Sequence, residues 1–166
     1  MHTFWPIAWS IAIFVFFAFS FVIMFGAPFL PTLTPQVKRA LDLIDLKPGQ
    51  TLLELGSGDG KVMIAAAERG LHVVGYELNP LLVLYSWLRT RKYRGKVRVV
   101  WGNFWHKKLP DADGIFVFLL QPYMEKLDNK IVQECRKPVK LVSFAFYIES
   151  RKPVKESKGL YLYDYK

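Results

Sequence analysis

Residues Thr51–Gly60 read TLLELGSGDG, an apolar run that breaks into three alternating glycines, Gly56, Gly58 and Gly60. A second apolar run, HVVGYELNP at His72–Pro80, delivers Glu77 seventeen residues past the last glycine. Glycines at the carboxyl end of a buried strand let backbone N–H groups and the following helix approach a ligand, because no Cβ stands in the way. An acid at the end of the next strand is placed to hydrogen-bond both hydroxyls of a ribose. Together the two runs predict a nucleotide-like ligand on an open α/β sheet.

The spacing narrows the ligand. A dinucleotide fingerprint needs G-x-G-x-x-G, so that the third glycine lets the helix pack while a diphosphate sits on the helix N-terminus. Here the glycines alternate, and Glu54 stands just before them. That carboxylate would repel a diphosphate but suits a ligand with an ammonium and a sulfonium. A P-loop also fails, since Leu55 occupies the place of its first glycine and Val62 that of its Ser or Thr. S-adenosylmethionine, with its α-amino group, ribose and adenine, fits what is left.

Outward from this stretch the pattern alternates between short apolar runs and helical periodicity. A helix is expected over Pro35–Leu46, ended by Lys47-Pro48-Gly49, and strand one over Leu52–Leu55. Then come a helix at Lys61–Arg69, a strand at Val73–Tyr76, a helix from Pro80 to about Tyr93 and a strand at Val97–Trp101. Ile115–Leu120 is so continuously apolar that it reads as a parallel strand buried on both faces. Met124–Arg136 is the next helix, Leu141–Ile148 a fifth strand and Leu160–Tyr165 a short last one. The order predicts a Rossmann-like, doubly wound, mostly parallel sheet. Too few residues separate the last two strands for a helix, so a reduced sheet ending in a hairpin or irregular edge is expected.

These motifs resemble those of the class I S-adenosylmethionine-dependent methyltransferases, ELGSGDG their first and YELNP their second. With PFLPT upstream and FLLQPYMEKL downstream, the chain resembles more narrowly the small membrane-anchored protein-lysine methyltransferases of the ATP synthase c subunit and the adenine nucleotide translocase. The resemblance implies roles residue by residue. Glu54 receives the methionine ammonium, the Gly56, Ser57, Gly58 and Gly60 turn lines the methionine portion, and Glu77 takes the ribose hydroxyls. Leu78 packs against adenine, Asn103 pairs with its edge in place of the family's commoner Asp, and Phe104 covers a ring face. Bland readings stand beside these: Glu77 as a helix-capping acid, and Trp101, Phe104 and Trp105 as core aromatics.

Gln121-Pro122-Tyr123, directly after the fourth strand, resembles the polar-Pro-aromatic motif with which amino-methylating enzymes hold a nitrogen nucleophile. Carbonyls of Gln121 and Pro122 can accept an amine's hydrogens and turn its lone pair inward, and Tyr123 offers a π-face to a cation. The plain alternative is a strand-to-helix turn with Pro at the first helical position. Pro31 and Thr32, in the FLPT stretch, are the candidate substrate-pocket residues that could fold over the same place, or else a simple linker.

No charged residue lies between Thr3 and Gln36, and Trp5–Phe25 is almost wholly apolar. As a helix it would reach about 30 Å, one hydrocarbon core. A single transmembrane anchor is expected over residues 4–26, with Trp5 and Trp9 at the interface and Gly26, Pro28 and Pro31 stopping the helix. A secretory signal would want a basic start and a small-residue cleavage site, which are not clearly present. Residues 27–50 then form a linker and leading helix, and 51–166 the catalytic domain. Lys38 and Arg39 follow the apolar run, which puts the N-terminus outside and the domain in the cytoplasm.

The formal charge of +9 fits a solvated face, RNA or anionic lipid, and the apolar segment favours lipid. No nucleic-acid-binding module is recognisable, so nucleic acid is not an expected partner. One cysteine, Cys135, excludes an intrachain disulfide, and three scattered histidines offer no metal-ligand spacing. The leading expectation is a membrane-anchored methyltransferase acting on a lysine amine of a protein at or in the membrane. Methylation of a quinone or lipid head group, and cofactor binding without catalysis, remain as alternatives.

Overall fold

The computed structural model describes residues 4–25 and 32–166. Seven strands form one sheet: β1 (Thr51–Leu55), β2 (His72–Glu77), β3 (Val97–Trp101), β4 (Gly114–Val117), β5 (Val139–Phe144), β6 (Lys155–Ser157) and β7 (Leu160–Tyr165). Their order is β3-β2-β1-β4-β5-β7-β6. The first five run parallel, and β7 is antiparallel to both β5 and β6.

Alternation along the strands makes two hydrophobic layers. Leu52, Val73, Phe116 and Val142 point to one face, where α2 (Thr34–Ile44) and α3 (Lys61–Glu68) bury Val37, Ala40, Leu41, Ile44, Val62, Met63 and Ala66 on them. Leu53, Leu55, Ile115, Val117 and Leu141 point to the other, covered by Met124, Leu127 and Ile131 of α5 (Met124–Glu134). Helix α4 (Pro80–Thr90) packs on β2 and β3 beside α3. Because β1 lies between β2 and β4, the strand order reverses beside it, and the loops after these strands open the crevice where ligands of such sheets sit.

The expected hairpin end with no helix before it is observed, and the expected strand number is corrected. A seventh strand, β6, is present, and what the tail lacks is a helix between β5 and β6. β6 and β7 form a hairpin through Lys158 (φ 49°) and Gly159 (φ 77°), the left-handed pair that matches strand twist in a two-residue turn. Two charged residues in the three-residue KES segment hid this edge strand from an apolar-run reading. β5 also ends at Phe144, not Ile148, because Ala145 turns to φ 68° and donates its N–H to Gly159 O at 2.7 Å. β4 ends at Val117 rather than Leu120; its pairing with β5 stops at Ser143, and the chain turns toward Gln121.

Helix α1 (Phe4–Phe25) is continuous over 22 residues, and side chains are described from Trp5 to Phe17. That shorter stretch would cover about 20 Å. Among the described residues no helix is long and apolar enough to cross a membrane. Gly26, Pro28 and Pro31 lie outside the described residues.

Candidate active site

The glycine turn is a piece of backbone only glycine takes easily. Gly56, Gly58 and Gly60 have φ of 90°, 51° and 78°. The N–H groups of Gly56 and Ser57 donate to Tyr76 O at 2.9 and 2.8 Å, which hangs the turn on the end of β2. A Cβ built on Gly56 would meet nothing within 4 Å, so the space over the turn is open to a ligand. Gly60 is different: a Cβ there would lie 3.1 Å from Ser86 Cβ, so this glycine serves helix packing.

Glu77 is the strut of the turn. Its Oε2 accepts the Gly58 N–H at 2.8 Å, and its Oε1 accepts those of Leu78 and Asn79, both at 2.8 Å. A carboxylate has about four lone-pair sites, so Oε2 keeps one for a hydroxyl above the turn. Asn79 follows as the N-cap of α4, accepting the Leu81 N–H at 2.9 Å with Pro80 behind it. The E-L-N-P string carried that cap as a legible signal.

Glu54 points inward from β1 with 4% of its surface exposed, and its Oε2 has no hydrogen-bond partner. Burial pushes its carboxyl well above the ordinary range; the nearby charges of Asp59 and Glu77 push the same way, against a Met63 backbone hydrogen bond. Ser57 Oγ, also buried, lacks a partner as well. Glu54 and Glu77 thus lie on either side of one open glycine turn, while Asp59 beside it is paired with Arg89. An orphaned buried carboxyl oxygen on Glu54, the open space at Gly56 and the unfilled acceptor site of Glu77 fit S-adenosylmethionine.

The sequence reading missed Asp59, Arg89, Lys61 and Gly75. Arg89 Nη1 donates to Asp59 Oδ2 and to Asp59 O, both at 2.8 Å, tying α4 to the turn. Lys61 Nζ donates to Thr32 O at 3.1 Å, which ties the Thr32 backbone to the start of α3 rather than to Gln121–Tyr123. A Cβ on Gly75 would lie 2.3 Å from Met63 Sδ and 2.8 Å from Ser57 Cβ. Gly75→Ala is therefore expected to destabilise the protein by about 2 kcal/mol in denaturant titration. Gly56→Ala should cost about 1 kcal/mol of stability from its positive φ alone, yet lose more in cofactor affinity by calorimetry, since the methyl enters the open space.

On the opposite layer, Phe104 is buried in the core beneath Trp105, with ring centroids 4.5 Å apart. Asn103 caps the short turn Phe104–His106, its Oδ1 accepting the Trp105 N–H at 3.0 Å. Leu78, half-buried, offers its carbonyl to the Trp101 indole N–H at 3.1 Å. Trp101 is no core residue: it is 64% exposed.

Gln121-Pro122-Tyr123 forms a 3-10 turn leading into α5. The Gln121 side chain pairs with the Tyr147 backbone in both directions, donating at 2.9 Å and accepting at 3.3 Å. Its Nε2 also lies 3.4 Å from Glu149 Oε1. The turn is thereby joined to the loop after β5, a partner no sequence pattern announced. Tyr123 and Trp105 have centroids 6.1 Å apart, and Lys126 Nζ sits 4.6 Å over the Trp105 ring. An ammonium is thus already accommodated on this aromatic wall. No group of His, Cys, Asp and Glu able to hold a metal occurs among the described residues.

The seven-strand order with its antiparallel β7, joined to this glycine turn, defines a Rossmann-like methyltransferase fold. Residues 54–155 match the ANTKMT methyltransferase domain family, and the chain belongs to that family. It is 32% identical over 123 residues to the ATP synthase c-subunit lysine N-methyltransferase of Homo sapiens, covering 72% of this chain and 52% of that one. It is also 32% identical over 130 residues to the adenine nucleotide translocase lysine N-methyltransferase of Mus musculus, covering 76% and 56%. The chain spans about half the length of these curated relatives. Among solved structures, an RNA methyltransferase from Salinibacter ruber in complex with S-adenosyl-L-homocysteine aligns with a TM-score of 0.74, 27% identity, 82% of this chain and 92% of that one.

Proposed function

We propose that this protein is an S-adenosylmethionine-dependent methyltransferase, held at a membrane by α1, that methylates a lysine amine of a protein at or in that membrane. The carrying observation is the buried, partnerless Glu54 oxygen under an open glycine turn braced by Glu77. When bound, the cofactor supplies an electrophilic methyl group on a sulfonium. Glu54 pairs with its ammonium, Glu77 with its ribose, and the Leu78 and Asn103 positions flank its adenine.

The chain's task is then to align a lone pair with that methyl. A free lysine has a pKa of about 10.4, so presenting it neutral at pH 7 costs about 4 to 5 kcal/mol. Glutamine cannot take the proton; partial burial beside Trp105 and Tyr123 opposes the charged form by desolvation while the rings and Glu149 attract the ammonium on arrival, and the proton leaves to water before alignment. Gln121 Oε1, still able to accept beside its Tyr147 contact, and the Pro122 carbonyl hold the amine's hydrogens. Glu149 places a negative charge where the ammonium arrives. The curated relatives named for lysine methylation support lysine over other amines.

Helix α1 supports the anchor. It carries no charge across 22 residues, and Ile7, Trp9, Ile11, Ile13, Phe14, Phe16 and Phe17, spread around its circumference, are each more than half exposed. Such a helix has no polar face to give to water. Ser10 satisfies its own hydroxyl on Pro6 O at 2.9 Å, the back-bonding a lipid setting requires. With Lys38 and Arg39 after it, the N-terminus lies outside and the domain in the cytoplasm.

Incubation of the full chain with radiolabelled methyl donor and membranes of its own source should label protein lysine. Label on lipid would establish the small-molecule alternative, and label on RNA alone would overturn the proposal. Gln121→Ala and Tyr123→Ala should lower turnover at least about tenfold with cofactor affinity unchanged, the expected split for groups that align the acceptor. Unchanged turnover would leave a cofactor-binding protein whose chemistry lies elsewhere. Glu149→Gln should raise KM for the protein substrate and spare kcat.

A further inference from the structure

Helix α4 is inside out. A helix on a sheet ordinarily buries its apolar stripe and shows water its polar side. α4 buries Ser86 and Thr90 instead, 0% and 3% exposed, and satisfies both hydroxyls within the helix, on Val83 O at 3.1 Å and Ser86 O at 2.8 Å. The close approach of Gly60 to Ser86 requires a small residue there. Leu84, Tyr85, Trp87 and Leu88 are left outside, 44% to 55% exposed. Trp101, which shares a sheet face with Val97 and Val99, extends the patch and is tied to the start of α4 through Leu78 O.

The surroundings of this apolar face are predominantly basic, the acids that reach it being Glu68, bonded by Tyr93, and Asp59, paired with Arg89. No Asp or Glu occurs between Glu77 and Asp111, while Arg89, Arg91, Lys92, Arg94, Lys96 and Arg98 all fall there. Arg89 lies over the Tyr85 ring and Arg94 over the Trp87 ring, both at 5.4 Å. Leucines to bury, Trp and Tyr with one apolar and one polar end, and a rim in which cations outnumber anions are the composition of a face that sits in a lipid headgroup layer.

We propose that the outer face of α4, with Trp101, docks on the surface of an anionic lipid bilayer. The proposal rests on the reading of the chain as membrane-bound, and adds a second, reversible contact made by the catalytic domain itself. Charge complementarity selects an anionic leaflet as the occupant, since each basic residue of the rim unpaired among the described residues, Arg91, Lys92 and Arg94 among them, adds to the attraction. The contact reaches the site. Arg89 belongs to the docking face and also holds Asp59 in the glycine turn, and Thr32, where the described chain resumes after α1, is held by Lys61 at the same turn. Docking would therefore set the mouth of the cofactor crevice beside the bilayer, within reach of a lysine at the membrane surface.

The test uses the full chain in a Cys135→Ser background, reconstituted into vesicles of phosphatidylcholine with or without phosphatidylglycerol. An environment-sensitive fluorophore is attached at Leu88→Cys, or as a control at Lys158→Cys on the β6–β7 hairpin. Flotation with the vesicles reports the anchor separately. The label at 88 should shift to the blue and be quenched by headgroup-depth quenchers in phosphatidylglycerol vesicles, and high salt should reverse both; the label at 158 should do neither. Replacing Arg91, Lys92 and Arg94 by Gln should weaken docking about 100-fold, since about 1 kcal/mol per basic residue is about fivefold each. Flotation without any shift at 88 overturns the docking and leaves the anchor standing. A shift that follows protein density rather than phosphatidylglycerol indicates a second copy on this face and also overturns it. Failure to float with either vesicle overturns anchor and docking together.

Discussion

Replacing Glu77 with Ala is expected to lower stability by about 3 kcal/mol and cofactor affinity by at least about 100-fold. The side chain satisfies three backbone N–H groups at once, on Gly58, Leu78 and Asn79. Hydrogen bonds to a charged group contribute about 1.5–3 kcal/mol each, and a buried donor left without one costs its full desolvation. Three such losses do not add, because the turn relaxes once released. The same relaxation removes the ribose acceptor and the shape of the turn, so binding should suffer more than folding. Glu77→Gln separates the two: it keeps one oxygen for Leu78 and Asn79 but sets an NH2 group against the Gly58 N–H, and should fall between. Thermal unfolding and calorimetry with S-adenosylhomocysteine read both quantities; an unfolding midpoint unchanged in the Ala variant would sink the strut assignment.

Glu54→Gln should move stability and binding in opposite directions. Burial, then the charges of Asp59 and Glu77, raise the Glu54 carboxyl well above its usual range in the folded protein. The native state then holds a proton that the unfolded chain has released, so stability falls as pH rises from the ordinary carboxylate range to the raised native value, and is level beyond it. The glutamine variant loses this fall and should be at least as stable as the parent at neutral pH. Yet it loses the charge that pairs with the cofactor ammonium, at a cost of about tenfold or more in affinity. In the parent, affinity should climb with pH through the same window, by at most about tenfold per unit, because pairing favours the ionised acid. In the variant it should be flat. A parent whose affinity ignores pH across this range would refute the assigned ammonium partner. Gain of stability with loss of binding is the expected mark of a group kept for function.

Much of the site is legible in the order of residues alone. Glycines at alternate positions after an apolar run, and an acid closing the next run, are local signals, set by backbone freedom and strand length. They put the turn after the first strand and Glu77 at the end of the second, where the folded chain has them. The parts that were not legible depend on contacts far apart in the chain. Gln121 reads as a free acceptor until its amide meets the Tyr147 backbone, and nothing in either segment announces the other. Gly75 reads as a weak strand residue until Met63 and Ser57 are packed over it. The helix Pro80–Thr90 is mostly apolar in sequence, and only the packed structure, with Gly60 close against Ser86, shows which of its side chains face outward.

The amino-acid sequence alone determined the class of ligand and the alternating strands and helices, because both follow from short-range sterics and the sign of nearby charge, and the family was legible in the resemblance of its motifs. Tertiary structure decided the seventh strand, the loop that holds Gln121 and the outward face of α4. Those outcomes depend on which distant segments compete for the same space, and local pattern does not encode that competition.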